Sequence, residues 1–187
     1  MPVNKYSKSI LPIIGILAGT LVPAAPADAV ARPGGDHCVL GGPKSNVAIR
    51  CFATFRQAVT FASGRQITNA PQTARDAIAD SGFRKRLAST QTASGEVIAA
   101  TAFDESNYRG STLTMVAPHP CTKNGKLDWW YDLSATGWTN RISSVQPWAN
   151  CWIWLYPESG DRDGPFKTNT PDVGAYINNR AFYVGLS

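Results

Sequence analysis

The stretch "GWTNRISSV", Gly137 to Val145, decides how the second half of this 187-residue chain is read. Thr139, Asn140, Arg141, Ser143 and Ser144 crowd into it beside Trp138, Ile142 and Val145. Polar side chains set so tightly among apolar ones suit a loop whose apolar members pin it to a core while its oxygens face out or cap its own amides. A second copy, "NNRAFYV" from Asn178 to Val184, keeps the Asn, the Arg and the closing Val, but has Phe182 and Tyr183 where the first copy has two serines. Each copy follows a hairpin-like stretch. "FDESNYRGS" (Phe103 to Ser111) and "YPESGDRDG" (Tyr156 to Gly164) share an aromatic, a Glu-Ser pair and a closing glycine. Hairpin, amide-rich loop, hairpin, amide-rich loop is an internal duplication, a pattern to be sought before any other structural reading.

The runs around these motifs are short and rich in β-branched and aromatic residues: "EVIAATAF", "STLTMVA", "ISSVQPW", "CWIWLY" and "AFYVGL". Clusters of Gly, Pro, Asn and Asp separate them, which is the pattern of an all-β sandwich with hairpins. "CWIWLY" puts Trp152, Trp154 and Tyr156 on one face and Ile153 and Leu155 on the other; with both faces apolar it reads as a central strand. All six tryptophans lie between Trp129 and Trp154. They read first as a core packed between two small sheets, and second as a sugar-stacking platform.

At Phe103, Tyr108 and Gly110 the chain resembles the βγ-crystallin superfamily, whose Greek-key unit opens with an aromatic, four residues, an aromatic, one residue and a glycine. Thr139 to Ser144 resembles that family's (Asn/Asp)-(Asn/Asp)-x-x-(Ser/Thr)-Ser loop, departing from it at Thr139. The resemblance covers residues 96–187. It implies a mainly β fold: a βγ-crystallin-like two-Greek-key β-sandwich, preceded here by a small, partly helical segment over residues 30–95. It also implies calcium at the loops, held by oxygens of Asn140, Arg141 (its carbonyl), Ser143 and Asn179 with carbonyls from Glu105 or Glu158. Calcium accepts 6–8 oxygen ligands, and neutral ones lower its affinity. Phe182 and Tyr183 cannot coordinate, and the second hairpin runs one residue longer without the middle aromatic. One weak Ca²⁺ site is therefore expected rather than two. The "CFATFRQAV" segment is similar to the lead-in of exported actinobacterial proteins with such a module. Crystallin-like inhibitors of secreted metalloproteases, with two disulfides, and some toxins share the fold, so a peptidase inhibitor is the alternative function. Its candidate loop is "APHPCTKNGK", Ala117 to Lys126.

The N-terminal end reads as an address. Lys5 and Lys8 precede the apolar run Ile10 to Val22, and Ala27-Asp28-Ala29 supplies the small-x-small pattern of a signal peptide, residues 1–29, cleaved after Ala29. The run is shorter than the roughly 20 residues of a membrane span. A secreted, extracellular protein without a membrane span is the expectation, and in that oxidising setting Cys38, Cys51, Cys121 and Cys151 read as two disulfides. Of three possible connectivities, Cys38–Cys51 with Cys121–Cys151 keeps the two halves separate. Zinc is disfavoured by the absence of any C-x-x-C spacing.

Residues 30–95 carry nine basic and three acidic residues, while residues 96–187 carry seven and nine. Such asymmetry suggests two units, the basic one able to lean on an anionic cell-surface polymer. No basic run interleaved with aromatics occurs, so no nucleic acid partner is expected. Within the basic unit, Thr54 and Gln57 form a capping box before Phe55, Ala58, Val59 and Ala62 at helical spacing, and Gly64 closes that helix. A second helix is predicted from Thr73 to Asp80 and a short piece at "FRKRLA". These helices carry few large apolar residues and need the second half or the Cys38–Cys51 staple for support. Enzyme readings find little: His37 and His119 are the only histidines, and there is no G-x-S-x-G elbow. Glu105 and Glu158 sit at equivalent places in the duplication, which suits a shared hairpin role better than an acid/base pair. A non-catalytic monomer with an extracellular protease or surface polymer as partner is the resulting expectation.

Overall fold

A run of apolar and small residues from Val97 onward builds the first of the two longest strands, β3 (Val97–Glu105), which a tight turn at Ser106–Tyr108 joins to β4 (Arg109–Ala117). The computed structural model describes Met1, residues 36–41 and residues 49–187; the leader and its cleavage site after Ala29 lie outside the described residues. Before β3 come β1 (His37–Leu40), β2 (Ile49–Phe52), α1 (Phe55–Ala62), α2 (Ala74–Ala79) and α3 (Ser81–Ser89). After β4 come β5 (Trp129–Asp132), β6 (Ser144–Pro147), β7 (Ile153–Tyr156), β8 (Asp163–Phe166) and β9 (Tyr183–Leu186). The first sheet has the order β2-β1-β4-β3-β6 and the second β5-β9-β7-β8.

This order is not the sequence order, and the departure is reciprocal. β5 belongs to the first repeat yet pairs with β9 in the second sheet. Thr170 belongs to the second repeat yet bridges to Val145 in the first sheet through two backbone hydrogen bonds, 2.9 and 3.0 Å long. Each repeat thus completes the other's sheet. Ala102, Leu113, Met115, Leu133, Trp138, Ile142, Ile153, Leu155, Val184 and Leu186 fill the space between the sheets. The mainly β, two-sheet architecture expected from the strand pattern is present.

The basic segment is stitched into the first sheet. β1 runs parallel to β4 and antiparallel to β2, and the Cys38–Cys51 disulfide ties β1 to β2 where Cys38 and Cys51 are register partners. The Cys121–Cys151 pairing is also present. On the outer face of that sheet, Val39, Ile98, Phe103 and Val116 meet Phe55, Val59, Ile67, Phe83 and Leu87 in a second apolar cluster. β3 is consequently buried along almost its whole length. α1 has the predicted capping box: Thr54 Oγ1 accepts from Gln57 N–H and Gln57 Oε1 accepts from Thr54 N–H. It closes with Gly64 N–H donating to Phe61 O and Arg65 N–H to Thr60 O, a Schellman turn. α3 starts earlier than the "FRKRLA" reading because Asp80 accepts from Phe83 N–H and caps it.

One expectation needs correction. The tryptophans are not the core between the sheets. Trp138 alone among the six is fully buried, Trp130 is 48% exposed and the other four are partly exposed. Residues 30–95 are partly helical, with α1, α2 and α3, and also contribute β1 and β2. "DGPF" of β8 contains the Gly and Pro of a turn, which an outermost strand tolerates.

Phe103 is fully buried, and its ring meets Tyr108 edge-on at 5.5 Å. Phe103→Ala is expected to cost about 3–5 kcal/mol in urea unfolding; a loss under about 1 kcal/mol would mean the outer cluster collapses around the gap. His37 packs edge-on to Phe55, and its Nδ1 lies 3.0 Å from Thr112 Oγ1. Burial lowers its pKa below 6.5, with Asp36 and Asp104 partly opposing. A histidine with a depressed folded pKa makes the unfolded chain the better proton binder, so stability falls as pH drops below about 6.5. Melting temperature should decline between pH 7.5 and 5.5, and His37→Gln should flatten that decline; an unchanged slope in the variant would remove His37 from the account.

Candidate functional site

The two amide-rich loops clasp each other. Asn140 N–H donates to Ala181 O at 2.8 Å, and Asn179 N–H donates to Ile142 O at 3.0 Å. These are the same bond made twice, because Asn140 and Asn179, like Ile142 and Ala181, are equivalent in the duplication. Both asparagines have left-handed backbones, with φ of 57° and 55°, a conformation Asn enters more readily than most residues. Each loop also returns to its own hairpin, Ser143 N–H to Phe103 O at 2.8 Å and Phe182 N–H to Tyr156 O at 2.7 Å. Even the arginines correspond: Arg141 Nη1 donates to Gly137 O and Arg180 Nη1 to Tyr176 O, both at 3.0 Å. Their guanidinium groups lie over Trp138 and Tyr176, at 4.5 and 5.4 Å from the ring centres.

Side-chain chemistry breaks this symmetry. In the first repeat Ser144 Oγ donates to Glu105 O at 2.7 Å and accepts from Tyr108 N–H at 3.1 Å. It latches the folded hairpin from a fully buried position. Asp104 accepts from Ser111 N–H and from Arg141 Nη2, both at 2.6 Å. Gly110, at φ 74°, is required there because a methyl group would collide with Asp104 Oδ1. Burial raises the pKa of the Tyr108 phenol in the same turn. In the second repeat Pro157 replaces Asp104, and Arg180 has no carboxylate within ion-pair reach among the described residues.

Of the residues singled out from the sequence, Ser143 and Asn179 come together. Ser143 Oγ lies 3.0 Å from Asp104 O and 3.2 Å from Asn179 Oδ1. Three oxygens converge with one hydroxyl proton among them. The Glu105 carbonyl accepts from Ser144 Oγ rather than from Ser143, while its carboxylate faces Arg109 at 3.6 Å in solvent. Asn140 and Glu158 are elsewhere. With Pro157, Ser159, Asn179 and Arg180 they line an open cavity of about 210 Å³ on the side of the second hairpin. Asn179 borders both places, and the side chain of Arg141 is committed to Asp104 and Gly137.

Asp104, Ser144, Asn178 and Arg180 were not among the expected site residues. Asp104 carries no signal of its own in the motif, but aligning the repeats pairs it with Pro157 and Arg141 with Arg180, which marks the asymmetry. Asn178 Oδ1 is buried with no hydrogen-bond partner among the described residues. Three oxygens that meet at one point suit a hard cation. Among the described residues no three His, Cys, Asp or Glu side chains gather as a metal cluster, so any cation there would rely on neutral oxygens.

No protein-family model matches the chain, and no curated protein matches it. Among solved structures, a βγ-crystallin domain from Clostridium beijerinckii is 19% identical over 47% of this chain and 95% of its own, with a TM-score of 0.37. A single-site mutant of a βγ-crystallin domain from the same organism is 21% identical, over 48% of this chain and 100% of its own, with a TM-score of 0.36. A clostrillin double mutant in complex with nickel is 18% identical, over 47% of this chain and 95% of its own, with a TM-score of 0.37. What carries the fold here is the molecule's own geometry: two folded hairpins, two clasped loops and a reciprocal strand exchange. On those grounds the region from β3 to β9 is a βγ-crystallin-like module.

Proposed function

We propose that the chain is a secreted, non-catalytic crystallin-like protein that binds one calcium ion weakly where the first hairpin meets the two loops. The convergence of Ser143 Oγ, Asn179 Oδ1 and the Asp104 carbonyl is the observation that carries this reading. Arg141 beside Asp104 and the lack of clustered carboxylates among the described residues keep the affinity low, on the order of 10⁻⁴–10⁻³ M as in other extracellular modules. The Asn140 and Glu158 side is the degraded half, since Phe182 stands where Ser143 stands in the first copy. Export is supported by two disulfides and by the leader pattern ending at Ala29. Among the described residues no helix is long and apolar enough to cross a membrane.

Calcium that binds only the folded state stabilises it by about 1.4 kcal/mol at tenfold excess over Kd. Calorimetric titration and thermal melts at about 10 mM calcium, at least tenfold above that Kd range, should show heat and a rise of a few degrees, with a smaller rise in magnesium. Ser143→Ala and Asn179→Ala should each remove the calcium-dependent rise. Ser144→Ala separates structure from binding: it strands the Tyr108 N–H and should cost about 1–3 kcal/mol with or without calcium. No heat and no shift for the native chain at that concentration would leave the loops as a purely structural clasp.

A second reading, inhibition of an extracellular protease, is favoured by the loop from Ala117 to Lys126. Exposed over most of its length, it is tethered at Cys121 to Cys151. Thr122 donates to Asp128 through both N–H and Oγ1 at 3.0 and 2.8 Å, and Asn150 Nδ2 donates to Cys121 O at 3.0 Å. A loop rigid before binding loses little entropy on docking into a protease cleft. Incubation with thermolysin-like and subtilisin-like proteases should give stoichiometric inhibition that Lys123→Glu weakens at least tenfold; steady cleavage of the loop without inhibition would remove this reading.

A further inference from the structure

Outside the crystallin-like module, β2 and α1 frame an open groove of about 710 Å³. Arg50, Arg56 and Arg65 line it, and Phe52 and Phe61 are among its walls with ring centres 5.3 Å apart. Three guanidinium groups around one groove repel each other. Among the described residues the ion pairs are Arg109 with Glu105 and Arg141 with Asp104, and neither involves the groove. The arginines are nonetheless held in place. Arg56 Nε donates to Ala70 O at 2.6 Å, which fixes its stem and leaves its terminal nitrogens available. The Arg50 guanidinium lies over the Phe61 ring at 4.9 Å.

Arg65 adds a backbone observation. It stands in the turn that closes α1, with φ 67°, a conformation that disfavours a side chain of its size. Its N–H to Thr60 O at 2.8 Å holds it there. Part of its charge offsets the carbonyls at the end of α1, so Arg50 and Arg56 are the groove's principal cations for a ligand. Thr60, Thr68 and Gln57 contribute hydroxyl and amide groups to the same walls. Gln57 accepts from Thr54 N–H through its oxygen, leaving its NH₂ to donate.

We propose that this groove binds a phosphate-bearing anion. A carboxylate is planar, carries one charge and satisfies one guanidinium fork, whereas linked phosphates carry several charges and enough oxygens for three arginines and their polar neighbours. The volume falls in the range of small-ligand sites, about 300–1,000 Å³. The surplus of basic over acidic residues in 30–95, nine against three, draws such an anion in from a distance. The site is separate from the calcium reading and does not depend on it.

Inorganic tripolyphosphate is the probe, titrated calorimetrically into the oxidised full chain at about 50 mM salt without calcium. Binding at one site is expected, weakening at least fivefold at about 200 mM salt, where screening is stronger. Arg50→Gln and Arg56→Gln should each lower affinity tenfold or more with unchanged melting temperature. Lys85→Gln, an equal charge change on α3 away from the groove, should leave binding within twofold. Absence of binding at the lower salt overturns the proposal, as does an equal loss in Lys85→Gln, which would make the attraction a diffuse charge effect. Poly-glutamate binding as tightly as tripolyphosphate would overturn the assignment to phosphate. Should an arginine variant fold poorly, ¹H–¹⁵N shifts of the native chain decide: perturbation centred on Arg56, Gln57 and Arg65 supports the groove, and perturbation elsewhere refutes it.

Discussion

Val145 and Thr170 exchange two backbone hydrogen bonds across the two repeats, and β5 pairs with β9 across them in the opposite sense. Neither repeat has a complete sheet without the other. The loops reinforce the exchange, because Leu133 N–H donates to Phe182 O and Val173 N–H donates to Ser143 O, both at 3.1 Å. Buried amides and carbonyls that find partners only across the repeats cannot be released one at a time without leaving unsatisfied groups, each costing about 1–3 kcal/mol. The two sheets should therefore fold and unfold together. Apolar side chains from both repeats, Trp138 and Ile142 from the first and Ile153 and Leu186 from the second, fill a single interior.

Backbone symmetry of this kind frees side chains to diverge. The paired Asn140 and Asn179 bonds, and the returns of Ser143 and Phe182 to their hairpins, need only main-chain atoms. The positions between them are open to change. One copy places two serines over an Asp-Glu hairpin and gathers oxygens; the other places Phe182 and Tyr183 there, their rings 4.9 Å apart, over a Pro-Glu hairpin. One half is fastened by side-chain hydrogen bonds and an ion pair, and the other opens onto a cavity lined by Asn140, Glu158 and Arg180, on one scaffold. The proposal of one cation site rather than two rests on this divergence.

The basic segment depends on the module for a different reason. Its helices are short with few large apolar residues, and α1 alone has a pronounced apolar face, so burial against Ile98, Phe103 and Val116 supplies what they lack. β3 and β4 gain a second covered face in return, which explains why Phe103 is both the first aromatic of the hairpin motif and a residue of the outer cluster. The Cys38–Cys51 bridge then fastens the edge of the sheet that carries α1 and its arginine-lined groove.

Local chemistry was legible in the sequence wherever it acts over a few residues. The capping box at Thr54 and Gln57, Gly64 at the end of α1, the glycine of the first hairpin at Gly110 and the doubled hairpin-and-loop order could all be read directly, because each is set by backbone sterics or by hydrogen bonds between near neighbours. The β-branched and apolar runs of β3, β4 and β7, punctuated by turn residues, pointed to the sandwich class for the same reason. β1, β2, β5 and β8 could not be read: "DGPF" of β8 looks like a turn, and β1 and β5 take partners, β4 and β9, that lie far along the chain. The tryptophans misled because clustering in sequence does not say which face of a sheet each will occupy; only Trp138 is fully enclosed. The site shows the same limit most clearly. Asn140, Ser143, Glu105, Glu158 and Asn179 could be named from their motifs, but which of them meet depends on how two loops some forty residues apart interlock. That interlocking brought Ser143 to Asn179 and Asp104, left Asn140 with Glu158 beside Arg180, and was decided by main-chain hydrogen bonds that nearly every residue type can make.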